Sequence, residues 1–161
     1  MFFVIKDIAY ALGADQACLI TVSGSLNEGE VLVVRGPSGA GKSTLLRILA
    51  RLQPCLNGEV FLKGESWLKI PGTVWRSAVH YLAQKPALFD GTVAGNLAKP
   101  FEIRLHSKKK FEPEKARALM AQLLLAPALW EQDARTLSGG EAARLALVRA
   151  LEEVERGASC E

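Results

Sequence analysis

Apolar and polar positions alternate along the chain in a way that predicts short strands followed by helices. Five runs are apolar or β-branched and lie next to turn residues, so each predicts a strand: 2–5, 18–22, 31–34, 59–62 and 79–83. The run 31–34 is apolar at every position, as expected for a strand that is covered on both faces.

Three later segments have the spacing of amphipathic helices. The first runs from residue 43 to about 52, and its predicted buried face consists of Leu45, Leu46, Ile48 and Leu49. The second begins near Pro113 and stops before Pro127, and the third runs from 139 to about 156. Strands followed by helices predict an α/β protein.

Composition limits the class of protein. A chain of 161 residues, with 49% hydrophobic and 23% charged residues, suits one globular domain. The net charge of +3 is too small to indicate a nucleic-acid partner. Three widely separated cysteines predict free thiols in a reducing compartment, and the sequence has no run long and apolar enough to span a membrane.

A glycine-rich loop follows the apolar run at 31–34 and fits the pattern G-x-x-x-x-G-K-[ST]. Its backbone N–H groups and the helix that follows can bind phosphate oxygens. Lys42 would contact the β- and γ-phosphates, and the Ser43 hydroxyl would bind Mg²⁺. The predicted nucleotide-binding residues of this loop are Gly36, Pro37, Ser38, Gly39, Ala40, Gly41, Lys42, Ser43 and Thr44.

The motif Leu137-Ser138-Gly139-Gly140-Glu141 opens the third predicted helix. Ser138 and Glu141 have the spacing of a capping box. Two glycines in a first helical turn cost roughly 1 kcal/mol each relative to alanine. Their use would be to bare backbone N–H groups at the positive end of a helix, where a phosphate can bind.

The glycine-rich loop followed by LSGGE resembles the ATP-binding cassette (ABC) ATPases. The resemblance implies ATP and Mg²⁺ as cofactors. It also implies a homodimer, or a heterodimer with another ABC ATPase subunit, in which Ser138, Gly139, Gly140 and Glu141 act on the partner subunit's ATP. Gln84 resembles the family's Q-loop glutamine, which senses Mg²⁺ and the attacking water. Tyr10 is the candidate for stacking on adenine, and an ordinary strand-end tyrosine is the alternative.

The same resemblance implies an ABC-type P-loop fold over 1–161, with an N-terminal antiparallel β subdomain. A helical subdomain at about 86–137 would contact a membrane permease. The segment 92–104 is similar to that of bacterial iron-export ABC ATPases, which act with a separate permease. The expected protein is therefore cytoplasmic and peripheral on the inner membrane, which it contacts only through the permease.

Family members continue past the signature helix into an apolar strand ending in Asp-Glu (Walker B) and then a switch histidine. Residues 151–161 contain no such strand, and Glu152 and Glu153 lie on a predicted helix. We therefore expect a chain that is truncated after the signature helix, with core strands missing and no identifiable catalytic glutamate. A non-catalytic regulatory module and a truncated, inactive ATPase remain alternatives. An ABC ATPase of DNA repair or translation is disfavoured because coiled-coil insertions and zinc cysteines are absent.

Overall fold

The computed structural model describes residues 1–13, 18–102 and 110–157, with the backbone alone for 153–157. It divides into two compact units, Met1–Tyr81 and Leu82–Glu161. Within the described ranges, no helix is both long and apolar enough to cross a membrane.

The first unit is built on a four-stranded antiparallel sheet with the order β2-β1-β3-β4. The central strand β1 pairs with β2 on one edge and with β3 on the other. Two helices complete the unit. The elements are β1 (Phe3–Leu12), β2 (Cys18–Leu26), α1 (Lys42–Leu49), β3 (Asn57–Leu62), β4 (Glu65–Ser66) and α2 (Gly72–Ala78).

Helix α1 packs its apolar face on this sheet. Its Leu45 and Ile48 are buried in one cluster with Ile5, Ile8 and Tyr10 of β1. The prediction that Leu46 is buried is wrong, because this residue points away from the cluster and is 44% exposed. Two tryptophans close the cluster. Trp75 is fully buried, its indole N–H donates to the Leu49 carbonyl (2.8 Å), and its ring meets that of Trp67 edge-on at 6.0 Å. The indole hydrogen bond ties the end of α1 to α2.

A bulge in β1 sets the geometry of the sheet. The register of β1 with β2 shifts between Ile5 and Ile8, and Asp7 has a φ of 49°. Ser23 holds the bulge, because its Oγ accepts from the Asp7 N–H (2.9 Å) and donates to Asp7 Oδ1 (2.7 Å). Gly58 of β3 lies against it, where an added Cβ would be 2.4 Å from the Asp7 carbonyl oxygen.

The second unit is helical. Its elements are α3 (Val93–Ala98), α4 (Pro113–Gln122), α5 (Gly139–Gly157) and short 3₁₀ turns at Lys99–Glu102, Pro127–Glu131 and Ala134–Thr136. Apolar side chains from all three helices form its core, together with Trp130. Its buried members are Val93, Leu97, Ala116, Leu119, Met120, Leu125, Trp130, Ala134, Leu145 and Val148.

The structure confirms the three predicted helices and the strands predicted at 2–5, 18–22 and 59–62, all three of which are longer than predicted. The strands predicted at 31–34 and 79–83 are wrong, since neither segment joins the sheet. Val31, Leu32 and Val33 are exposed instead. The sheet that forms is antiparallel and locally connected, whereas a strand leading into α1 needs parallel neighbours brought by longer crossovers. The helical subdomain predicted at about 86–137 stays a prediction.

Gly58→Ala tests the contact at the bulge. Gly58 has a φ of 103° and no room for a side chain, so we expect the substitution to lower the free energy of unfolding by more than ~2 kcal/mol. Gly64→Ala is the matched control, because Gly64 has a φ of 83° but open space around it, and should cost about 1 kcal/mol. Urea unfolding followed by tryptophan fluorescence measures both. Equal losses would contradict the steric argument.

Candidate nucleotide-binding site

The glycine-rich loop ends at the N-terminus of α1, where Gly41 is the N-cap residue with a φ of 82°. An added Cβ at Gly41 would lie 2.9 Å from Leu12 Cδ1 and 3.0 Å from Tyr10 Cε2. The loop backbone therefore lies directly on the end of β1, and only glycine fits there. Residues 36–39 are exposed, and the loop turns where the Ala40 N–H donates to the Pro37 carbonyl (3.3 Å).

Lys42 folds back across this loop. Its Nζ donates to the carbonyl oxygens of Gly36 (2.8 Å) and Pro37 (2.6 Å). The ammonium group is thus held beside the exposed loop backbone, where an anion would meet it. Hydrogen bonds from an ammonium to phosphate oxygens are stronger than those to neutral carbonyls, so an entering phosphate can replace these partners.

The first turn of α1 supplies hydroxyl groups. Ser43 is exposed, and Thr44 is half-buried beside it. A hydroxyl oxygen is a suitable ligand for Mg²⁺, which takes few protein ligands and binds together with the phosphates of a substrate. The residues present at this helix end therefore fit Mg²⁺ bound with a nucleotide.

Tyr10 lies beneath the loop rather than on its surface. The residue is 4% exposed, and its hydroxyl donates to the Gly41 carbonyl at 3.4 Å. Burial raises the pKa of the Tyr10 hydroxyl. Its role in stacking on adenine stays a prediction. The packed ring supports the alternative role, that of an ordinary tyrosine near the end of a strand.

Gln84 lies in the second unit, at an exposed position between Leu82 and the start of α3. Its contact with Mg²⁺ and water stays a prediction. The segment that follows it is held by Asn96, which the sequence indicates only as one position of the segment 92–104. Asn96 is fully buried on α3, and its amide bonds both backbone groups of Phe89 (2.8 and 2.9 Å) and the Thr92 carbonyl (3.0 Å). The signal available in the sequence was a polar residue on the apolar face that includes Val93 and Leu97.

The motif LSGGE opens helix α5 with the predicted capping box, which the structure confirms. The Ser138 N–H and hydroxyl both donate to Glu141 Oε2 (2.8 and 2.6 Å), and the Glu141 N–H donates to Ser138 Oγ (3.3 Å). The hydrogen bonds from the Ser138 hydroxyl and backbone lower the pKa of Glu141. The ionised carboxylate therefore fixes the first turn of the helix.

The two glycines of this turn are not required by the fold. An added Cβ at Gly139 would meet no atom within 4 Å, and one at Gly140 would meet only Arg144 Nη1 at 3.4 Å, the end of a flexible side chain. Neither glycine has a positive φ. They contrast with Gly41 and Gly58, whose missing side chains make room for the chain itself. At Gly139 and Gly140 the open space faces solvent.

Comparison with known proteins shows the family of this chain. Residues 19–156 match the sequence family described as ABC transporter. This chain belongs to the ABC transporter family, as an ATP-binding domain.

Two curated relatives that this chain resembles are both named as ATP-binding proteins. "Probable iron export ATP-binding protein FetA" of Escherichia coli is 34% identical over 148 residues, covering 92% of this chain and 64% of the relative. "Fe(3+) ions import ATP-binding protein FbpC" of Streptomyces avermitilis is 38% identical over 137 residues, covering 84% of this chain and 39% of the relative. The chain thus spans less than two thirds of the length of these curated relatives.

The similarity to a solved structure supports the fold of this chain and nothing beyond the fold. The ABC domain matches a chain of "Structure of a bacterial Atm1-family ABC exporter with ATP bound" with a TM-score of 0.75 at 23% identity, over 94% of this chain and 27% of that chain. The predicted fold class, an ABC-type α/β domain with an N-terminal antiparallel sheet and a helical part, is confirmed.

The lowered pKa of Glu141 predicts a pH-dependent contribution to stability. A carboxylate with a lowered pKa stabilises the folded state fully above its ordinary pKa, here 4.5, and loses that contribution as the pH falls through the lowered value. Glu141→Gln should therefore be less stable than the parent at pH 7, and the difference should shrink as the pH falls below 4.5. Urea unfolding at several pH values measures it. Glu131→Gln removes an exposed charge elsewhere and controls for net charge, and a difference that does not change with pH would contradict the assignment.

Proposed function

We propose that this ABC domain binds Mg²⁺-ATP at residues 36–44 and couples it to a separate membrane permease. The observation that carries the proposal is the loop at the start of α1, with Gly41 seated on β1 and Lys42 held beside the exposed backbone. A phosphate placed there would meet an ammonium group and the positive end of a helix together.

Each residue of the loop has a distinct part in this proposal. The backbone from Gly36 to Gly41 surrounds the phosphates, and Lys42 exchanges its two carbonyl partners for β- and γ-phosphate oxygens. Ser43 and Gln84 would hold Mg²⁺, which neutralises phosphate charge when bound. The proposal covers the binding of Mg²⁺-ATP and not its hydrolysis.

LSGGE supplies the second half of the function. We propose that Gly139 and Gly140 receive the γ-phosphate of ATP bound to another subunit, either a second copy or a related ABC ATPase. The open space at both glycines supports this, because a helix start without a ligand gains stability from alanine there. Glu141 fixes the turn through Ser138, so that the N–H groups are in place before the phosphate arrives.

The remaining parts of the proposal concern the cell. We propose a cytoplasmic subunit on the inner face of the membrane that contacts the bilayer only through its permease and does not bind nucleic acid. The similarity to FetA supports iron export as the transport reaction, whereas FbpC is named for iron import.

Lys42→Ala tests nucleotide binding. Loss of the ammonium group should weaken equilibrium binding of a fluorescent ATP analogue at least tenfold, about 1.4 kcal/mol. Lys69→Ala, which removes the same charge from an exposed loop of the same unit, should bind as the parent does. Equal binding by all three proteins would contradict the assignment.

The same two variants extend this test to transport in the organism that carries the gene. If the domain drives iron export, cells with Lys42→Ala accumulate iron, whereas cells with Lys69→Ala match the parent. A fall in cellular iron would indicate import, and unchanged iron would remove iron from the proposal.

Gly139→Ala separates stability from function. We expect an unchanged or higher midpoint of thermal unfolding, because alanine favours a helix by about 1 kcal/mol over glycine. ATP binding should persist while ATP-dependent dimerisation, measured by analytical ultracentrifugation, is lost. Ala143→Gly at an exposed position of the same helix should give the reverse result, with lower stability and normal dimerisation. Normal dimerisation of Gly139→Ala would contradict the proposed role of LSGGE.

A further inference from the structure

The segment from Ala87 to Thr92 is held from two sides within the second unit. On one side, Asn96 of α3 binds the Phe89 N–H and carbonyl, with distances of 2.8 and 2.9 Å. Because these bonds satisfy both backbone groups of Phe89, the position of its backbone is fixed relative to α3. The Phe89 side chain is nevertheless 44% exposed.

On the other side stands Arg149 of α5. Its Nη2 donates to the Ala87 carbonyl at 2.9 Å, and its guanidinium carbon lies 5.1 Å from the centre of the Phe89 ring. One side chain therefore contacts both the backbone and the aromatic ring of the segment, across 62 positions of sequence. Arg149 stands on the same helix that LSGGE opens.

We propose that Arg149 is a positioning residue that makes the segment 87–89 and the signature helix move together. A partner that docks on the exposed face of Phe89 would then shift α5, and with it the N–H groups of Gly139 and Gly140. This inference rests on the proposed function, in which those N–H groups receive a phosphate. Arg149 itself contacts neither the nucleotide nor the partner.

Guanidinium chemistry suits this role. The planar group can donate a hydrogen bond from its edge to a carbonyl while its face lies on a ring. A lysine ammonium is a point charge on a flexible stem and does not hold both contacts in one fixed geometry. The helix then transmits displacement, because its backbone is hydrogen-bonded from turn to turn. Charge alone is therefore insufficient, and Arg149→Lys should break the link while retaining the charge.

The test is a double-mutant cycle read at LSGGE in the full chain without nucleotide. Phe89→Leu keeps an apolar side chain and removes the ring. In the parent, we expect it to displace the amide resonances of Gly139 and Gly140 in ¹H–¹⁵N spectra. In an Arg149→Lys or Arg149→Gln background, the same substitution should leave those two resonances in place. Arg117→Lys, which alters a comparable stacked guanidinium over Trp130 at 4.0 Å, should preserve the displacement.

Each result decides the proposal. Equal displacement in the parent and in the Arg149 variants, or no displacement in the parent, would overturn it. Loss of dispersed spectra in both Arg149 variants would overturn it as well, since Arg149 would then serve only to stabilise the fold. Because no nucleotide is present, a negative result here is independent of the binding test with Lys42→Ala.

Discussion

Strand β1 is approached by the backbone of two other segments at glycines, and the first unit depends on both approaches. Gly58 of β3 lies against the Asp7 bulge, and Gly41 at the start of α1 lies against Leu12 and Tyr10. The first contact sets how β3 pairs with β1, and the second sets where the glycine-rich loop ends and α1 begins. Because both contacts are made to strand β1, the position of the loop depends on the sheet. The position of the glycine-rich loop thus depends on a steric fit at Gly41.

The glycines of LSGGE have the opposite relation to the fold. Gly139 and Gly140 have room around them, and the capping box of Ser138 and Glu141 already satisfies the helix start. The fold requires Gly41 and Gly58, because an added Cβ at either position would clash with β1, whereas it does not require a glycine at 139 or 140.

Local patterns predicted most of what formed. The helices that begin at Lys42, Pro113 and Gly139 each had an apolar face and a recognisable start, so periodicity and capping sufficed. Strands β1, β2 and β3 were predictable because their apolar or β-branched runs lie next to turn residues. The apolar run 31–34 was misassigned, since its character reflects neighbours that the described sheet does not include. The hydrogen-bond partners of Asn96 and Arg149 could not be predicted, because they are backbone groups of a loop whose path no periodicity describes.

The exposed run at 31–34 has a consequence for the chain in solution. Val31, Leu32 and Val33 are uncharged and exposed, and their segment pairs with no strand in the described part of the chain. Such a segment offers its backbone and its apolar side chains together, which is the combination that nucleates intermolecular β-pairing. The segment that leads into the glycine-rich loop is therefore a part of the described chain that is open to β-pairing with a strand of another molecule.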